Sequence, residues 1–207
     1  MEQDLQTPTL LSRLVRRFLL ALYAWKGWTF AGSAPPSRKC VILGAPHTSN
    51  WDFIFFLGAV TRLGIRPSFM GKLSLFRPPL TRFMYDMGGI PVDRRAKDQN
   101  YVEQVAKAFA EADELALVIA PEGTRGPITA WRSGFYHIAL RAGVPIVPAW
   151  VDNARMTGGI GPEIMPSGDY AADLKKIARF YHQHMPDHPK LAVLYREAGI
   201  LEGASDA

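Results

Sequence analysis

Apolar residues arrive in this chain in two alternating rhythms. Unbroken runs at Cys40–Leu43, Leu115–Ala120 and Val144–Val151 read as strands buried on both faces. Shorter runs at Ser68–Met70 and Ile90–Val92 read the same way, each bounded by glycine or charge. Between them apolar positions recur at helical spacing. Phe53–Val60 fills one helix, and Val102, Val105, Ala106 and Phe109 mark the inner face of a second over 100–114. Ser133–Ala142 makes a third, closed by Gly143, and Asp169–Met185 a charged amphipathic fourth. A helix is also predicted over 75–87, with prolines at its start and Gly88-Gly89 as its stop. Gly158–Gly168 reads as a loop carrying a short strand. Alternation of this kind predicts an α/β domain over 38–199, its mixed, largely parallel sheet flanked by helices.

The N-terminal part has a different pattern. Residues 1–8 are expected to be disordered, 9–32 to form an amphipathic helix, and 200–207 to be a frayed tail. Leu10, Leu14, Phe18, Leu22 and Trp25 fall on one helical stripe, while Arg13, Arg16 and Arg17 cluster away from it. Trp25, Lys26 and Trp28 add an aromatic and basic edge. A helix lying in a membrane interface has this layout, with its apolar face in lipid and its arginines on anionic head groups. The competing reading is a helix packed on the domain's own core. A signal peptide fits poorly because arginines interrupt a short apolar segment, and Lys26 cuts any membrane span.

Composition narrows the partners. A chain of 207 residues, 48% hydrophobic, can bury one sizeable core. Its single cysteine, Cys40, excludes an internal disulfide and sits in a predicted strand, so it reads as a packed thiol. A net charge of +5 favours acidic partners: nucleic acid, an anionic membrane, a phosphorylated substrate or an acidic carrier protein. No nucleic acid is expected, because the basic residues are dispersed and no nucleic-acid motif occurs.

Candidate chemistry collects at strand ends. These ends carry His47 with Asp52, Lys72, Asp93-Arg94, and Glu122-Gly123-Thr124-Arg125. If the strands are neighbours in one orientation, all of these groups meet at one crevice, where open α/β sheets place ligands. Arginine suits phosphate through its rigid fork, lysine as a point charge, and Gly123 would let a backbone amide approach an anion. Ser49-x-x-Asp52 also fits a simple capping box. Three other readings stand beside the crevice: a metal hydrolase using His47, Asp52, Asp93 and Glu122, an acyl-accepting Ser49, and a non-enzymatic lipid-binding protein. His182, His184 and His188 read as a solvated helix end, since positions two apart do not share a face.

As a set, His47-x4-Asp52, Gly89-Ile-Pro-Val-Asp93-Arg94, Pro121-Glu-Gly-Thr-Arg125 and Val144-Pro-Ile-Val-Pro148 resemble the four ordered blocks of the glycerophospholipid acyltransferase family. The second block departs in its Ile-Pro-Val, and Pro46 stands where many relatives have asparagine. The resemblance implies acyl transfer from acyl-CoA or an acyl-carrier protein to a hydroxyl of a lysophospholipid-type acceptor such as 1-acylglycerol-3-phosphate. A different lysolipid or a polar acceptor such as an aminolipid is the alternative.

By the same resemblance His47 is the base and Asp52 its orienting carboxylate. Lys72, Arg94, Glu122, Gly123, Thr124 and Arg125 bind substrate, and Val144–Pro148 helps line an acyl pocket. No resident cofactor or metal is called for. The N-terminal helix resembles the family's bacterial membrane-docking element, which implies a peripheral protein on the cytoplasmic face of an anionic membrane.

The chemistry can also be argued directly. An alcohol needs a base to attack a thioester, and an imidazole, with an ordinary pKa of about 6.5, can take the proton. A carboxylate at its other nitrogen fixes the tautomer. Backbone amides near Gly123 or at Thr48–Asn50 are the candidate oxyanion donors.

Overall fold

The computed structural model describes residues 7–92 and 98–200. Predictions for residues 1–6, Asp93, Arg94 and 201–207 therefore lie outside the described residues. Helix α1 (Leu10–Lys26) is followed by β1 (Thr29–Ala31), β2 (Lys39–Ala45), α2 (Asn50–Arg62) and β3 (Pro67–Lys72). Next come α3 (Thr81–Asp86), β4 (Gly89–Val92), α4 (Asp98–Glu111), β5 (Leu115–Ile119) and α5 (Gly134–Ala142). Strands β6 (Ile146–Asp152) and β7 (Thr157–Ile160) precede α6 (Tyr170–His184) and α7 (Ala192–Glu197).

The strands form one seven-stranded sheet in the order β1-β7-β6-β2-β5-β3-β4. Every neighbouring pair is parallel except β6–β7, so the sheet is mixed and largely parallel, as the alternating pattern predicts. Strand β2 lies at its centre and is buried on both faces, which is why its sequence is an unbroken apolar run. Val41 and Leu43 point into the cluster formed with α4, α5, α6 and α7, while Cys40 and Ile42 point to Phe55, Val60 and the α1–α2 side. Cys40 is a packed thiol whose pKa burial pushes up to about 12.

Three predicted boundaries are corrected. The helix expected over 75–87 is two pieces: a 3-10 turn, Leu73–Phe76, and α3 from Thr81. Pro78-Pro79 separates them, because proline has no N–H to donate and disfavours a helical residue before it. The N-terminal helix stops at Lys26 rather than reaching 32. Gly27 takes a left-handed cap at φ 71°, and residues 29–31 join the sheet edge beside β7. The sheet thus begins ahead of residue 38. Thr157–Ile160 turns back on Asp152–Ala149 as an antiparallel strand, which supplies the short strand expected after Gly158.

Helix α1 divides into two faces. Leu19, Leu22 and Tyr23 pack on the domain, and the Tyr23 ring fills the space where a Cβ on Gly58 of α2 would stand, 2.2 Å away. Its N-terminus is tied down by Asp86, whose Oδ2 accepts from the Thr9 N–H and the Ser12 hydroxyl. On the other face Leu10, Leu14, Phe18 and Trp25 are exposed, Trp25 by 74%. Leu22 belongs to the packed face, not to the outer stripe. Among the described residues no helix is long and apolar enough to cross a membrane.

Candidate active site

Strands β2, β5, β3 and β4 are consecutive and parallel, so their carboxyl ends share one edge of the sheet. The loop after β2 contains His47 and the loop after β5 contains Glu122, and the two touch. The His47 N–H donates to Glu122 Oε1 at 2.9 Å.

Immediately after this contact the chain enters α2 through a capping box. Ser49 Oγ accepts the Trp51 N–H, and the Asp52 carboxylate accepts the Ser49 N–H. Asp52 is 1% exposed and surrounded by donors. Its Oδ2 takes the Thr48 N–H at 2.6 Å and the Ser49 N–H at 2.7 Å, and it lies 3.2 Å from His47 Nδ1. Its Oδ1 takes the Asn153 amide at 2.6 Å and the Ser49 hydroxyl at 3.4 Å. Burial alone would raise this carboxyl, but the bonds from His47, Ser49, Thr48 and Asn153 outweigh it and hold Asp52 below its ordinary value.

An ionised carboxylate can only accept. The His47 nitrogen facing it, Nδ1, therefore carries the hydrogen, and Nε2 keeps its lone pair. The His47 side chain is 27% exposed, at the sheet edge. Capping and bracing are thus carried by the same carboxylate.

Several expectations change here. Glu122, expected at the substrate, is 2% exposed and turned inward to hold the His47 backbone. Burial raises its carboxyl, against the pull of the His47 N–H and the Lys190 charge. Gly123 has φ 67°, but its N–H donates to the Ala120 carbonyl, so that amide is already used. A Cβ there would strike the Arg132 guanidinium at 2.7 Å, so the arginine side chain lies over the loop. The Thr48 and Ser49 amides serve Asp52, which removes them too as oxyanion donors. Ser49 is occupied as the helix cap, its hydroxyl directed at Asp52 and not at the imidazole. Val144–Pro148 is packed in the sheet and its flanking core rather than along an opening.

Lys72 and Arg125 are exposed at the ends of β3 and after β5, on the same edge as His47. The Thr124 hydroxyl accepts the Gly126 N–H at 3.2 Å, folding the loop that presents Arg125. Arg94 is among the residues not described. The three C-terminal histidines are part-buried rather than a solvated end: His184 stacks on Trp150 at 5.0 Å, His182 meets Tyr195 edge-on, and His188 Nδ1 is buried. Among the described residues no three His, Cys, Asp or Glu side chains are placed to hold a metal ion.

Two contacts were not predicted. Asn153 follows the last residue of β6, so the strand-end rule that picked out the other loops would have found it. Lys190, in the turn between α6 and α7, donates to the carbonyls of His47 and of Thr124, the latter at 2.6 Å. Nothing in the sequence pairs it with residues 143 and 66 positions away.

Comparison with known proteins agrees with this layout. The family model described as Acyltransferase matches residues 30–152, which contain all four blocks. A 1-acyl-sn-glycerol-3-phosphate acyltransferase of Haemophilus influenzae is 28% identical over 194 residues, covering 83% of this chain and 79% of its own. The enzyme of that description from Salmonella typhimurium is 30% identical over 115 residues, covering 53% of this chain and 45% of its own. In the crystal structure of the 1-acyl-sn-glycerophosphate (LPA) acyltransferase PlsC from Thermotoga maritima the same fold recurs. Its TM-score is 0.54 at 16% identity, over 93% of this chain and 81% of that one.

Proposed function

This chain belongs to the glycerophospholipid acyltransferase family, and we propose that it moves a fatty acyl group from an acyl thioester to the free hydroxyl of 1-acylglycerol-3-phosphate. The observation that carries the mechanism is the His47–Asp52 pair at the carboxyl edge of the sheet, with Nδ1 against the carboxylate and Nε2 free to act. The acceptor comes from the relatives named above, whose descriptions give that lysolipid.

In the proposed reaction the acceptor hydroxyl gives its proton to His47 Nε2 as its oxygen bonds to the thioester carbonyl carbon. Asp52 stabilises the imidazolium that forms. The tetrahedral intermediate collapses with cleavage of the carbon–sulfur bond, and the thiolate leaves and takes up the proton. The ester and a free thiol are the products, with no acyl-enzyme. Lys72 and Arg125, with Arg94 of the second block, hold the acceptor phosphate. The donor thiol is that of coenzyme A or of an acyl-carrier protein.

The outer face of α1 supports peripheral attachment to an anionic membrane at its cytoplasmic face. Leu10, Leu14, Phe18 and Trp25 supply apolar area, and Arg13 and Arg17 are exposed alongside to meet lipid head groups.

The test is to supply purified full-length protein with 1-acylglycerol-3-phosphate and either acyl-CoA or acyl-carrier protein, and to follow phosphatidic acid by mass spectrometry. Product formation that disappears in His47→Ala supports the reading. Absence of product with both donors, or undiminished product from His47→Ala, refutes it.

A further inference from the structure

We infer that Lys190, which lies outside the four blocks, is a positioning residue that clamps the His47 loop to the Thr124–Arg125 loop. The inference rests on the acyl-transfer reading above, because it assigns Lys190 a part in the same site.

The His47 backbone is gripped at both of its polar atoms. Its N–H is held by Glu122 Oε1 at 2.9 Å, and its carbonyl accepts from Lys190 Nζ. The same ammonium reaches the Thr124 carbonyl at 2.6 Å, one residue before Arg125. One cation thus joins the loop of the base to the loop of the phosphate-binding arginine, across the neighbouring strands β2 and β5. Bonds from an ionised donor are stronger than neutral ones, and three donors on one nitrogen allow two carbonyls to be served together. The ammonium also lies within electrostatic reach of the buried Glu122 carboxylate, whose ionised form it favours.

The clamp itself is anchored. Leu191, next in sequence, is fully buried, and its N–H donates to the His188 carbonyl at 3.0 Å. Met185 is also buried, and its carbonyl accepts the Tyr195 hydroxyl at 2.7 Å. The turn that presents Lys190 is therefore fixed on the core at both sides, so the side chain is held in place by the fold.

Reaction geometry is sensitive to small displacements: a shift of about 1 Å can cost on the order of a hundredfold in rate. Removing the ammonium should therefore act on turnover more than on donor binding. The experiment compares Lys190→Met, which keeps the stem, and Lys190→Arg, which keeps the charge, in the full-length protein. We expect Lys190→Met to lower kcat about ten- to a hundredfold with the thioester KM unchanged. Amide hydrogen exchange should quicken together over 46–52 and 121–126, and Lys190→Arg should restore most of both properties.

Exchange is read without substrate, so it remains informative if the wild type shows no acyl transfer; that outcome would refute the function reading alone. Unchanged kcat and unchanged exchange in Lys190→Met overturn the clamp, as does equal loss in Lys190→Arg. If Lys190→Met does not fold, Lys190→Gln is measured in its place against the same criteria.

Discussion

The Asn153 amide donates to Asp52 Oδ1 at 2.6 Å, on the opposite side of the carboxylate from the oxygen that faces His47. The amide oxygen of Asn153 is buried with no partner, so the residue is oriented by its bond to the acid. A hydrogen bond to a charged group contributes about 1.5–3 kcal/mol. If that support is lost as the imidazolium forms, Asn153→Ala should lower kcat by about 10- to 100-fold. Asn153→Asp should do something different. A second carboxylate beside the first disfavours ionisation of both, and the added negative charge favours the imidazolium, so the acid limb of the kcat profile, on which the base is protonated, moves to higher pH. A pH–rate profile for the two variants checks this, and an acid limb unmoved in Asn153→Asp would contradict the assignment.

The two members of the pair should separate activity from stability. His47→Ala removes a partly exposed ring and leaves Asp52 with the Thr48, Ser49 and Asn153 donors, so thermal unfolding should stay close to wild type. Its turnover should fall by about 100- to 10,000-fold, the usual contribution of a general base. Asp52→Ala should lose activity and also stability. It removes the acceptor of the Thr48 and Ser49 amides and breaks the capping box, and each lost bond to the charged carboxylate costs about 1.5–3 kcal/mol. Calorimetry and initial rates on both variants give the comparison. Equal stability in the two would argue against the double role of Asp52.

Most of the frame was legible because α/β alternation and strand-end chemistry are local signals. The capping box at Ser49–Asp52 and the buried runs of β2, β5 and β6 follow from spacing along the chain, and the α/β alternation implied the parallel strands whose carboxyl ends share one edge. What sequence did not reveal depends on pairing across the fold. Glu122 reads as a charged loop residue until the His47 N–H is seen to point at it. Lys190 sits in an unremarkable turn, and only the return of α6 across the sheet brings it to His47. The helix assigned over 75–87 failed for a local reason that was visible: two prolines in its first turn break it rather than begin it.

Asp173 is a further buried carboxylate, at the start of α6, and should set part of the acid stability. It accepts from the Tyr136 hydroxyl, the Ser167 N–H and hydroxyl, and Lys176 Nζ at 2.8 Å. Burial alone would raise it, but Lys176, Ser167 and Tyr136 together hold its pKa down to about 2. An unfolded aspartate titrates at about 3.9, so the folded state binds the proton less readily. Stability from this group is therefore complete above that value and is lost as pH falls towards 2. Urea unfolding at a series of pH values should show Asp173→Asn less stable than wild type at neutral pH, with a shallower decline below about pH 4. Parallel declines in the two proteins would remove Asp173 from the account.

The exposed stripe of α1 yields a prediction that does not depend on the chemistry. Phe18 is 62% exposed and Leu14 53%, while Leu19, Leu22 and Tyr23 hold the other face on the domain. Phe18→Glu should therefore leave unfolding nearly unchanged, because most of the substituted side chain is exposed. It should nonetheless weaken binding to vesicles containing anionic lipid, since a carboxylate would replace apolar area on the exposed face. Trp25, 74% exposed, is the natural reporter: its emission should shift to the blue on addition of such vesicles to wild type. Charge reversal at Arg13 and Arg17 should weaken binding as well, by about 1 kcal/mol for each arginine lost, and that part alone should vanish at high salt. Vesicle titrations at two ionic strengths distinguish the apolar from the electrostatic share. Binding unaffected by Phe18→Glu would leave α1 as a packing helix.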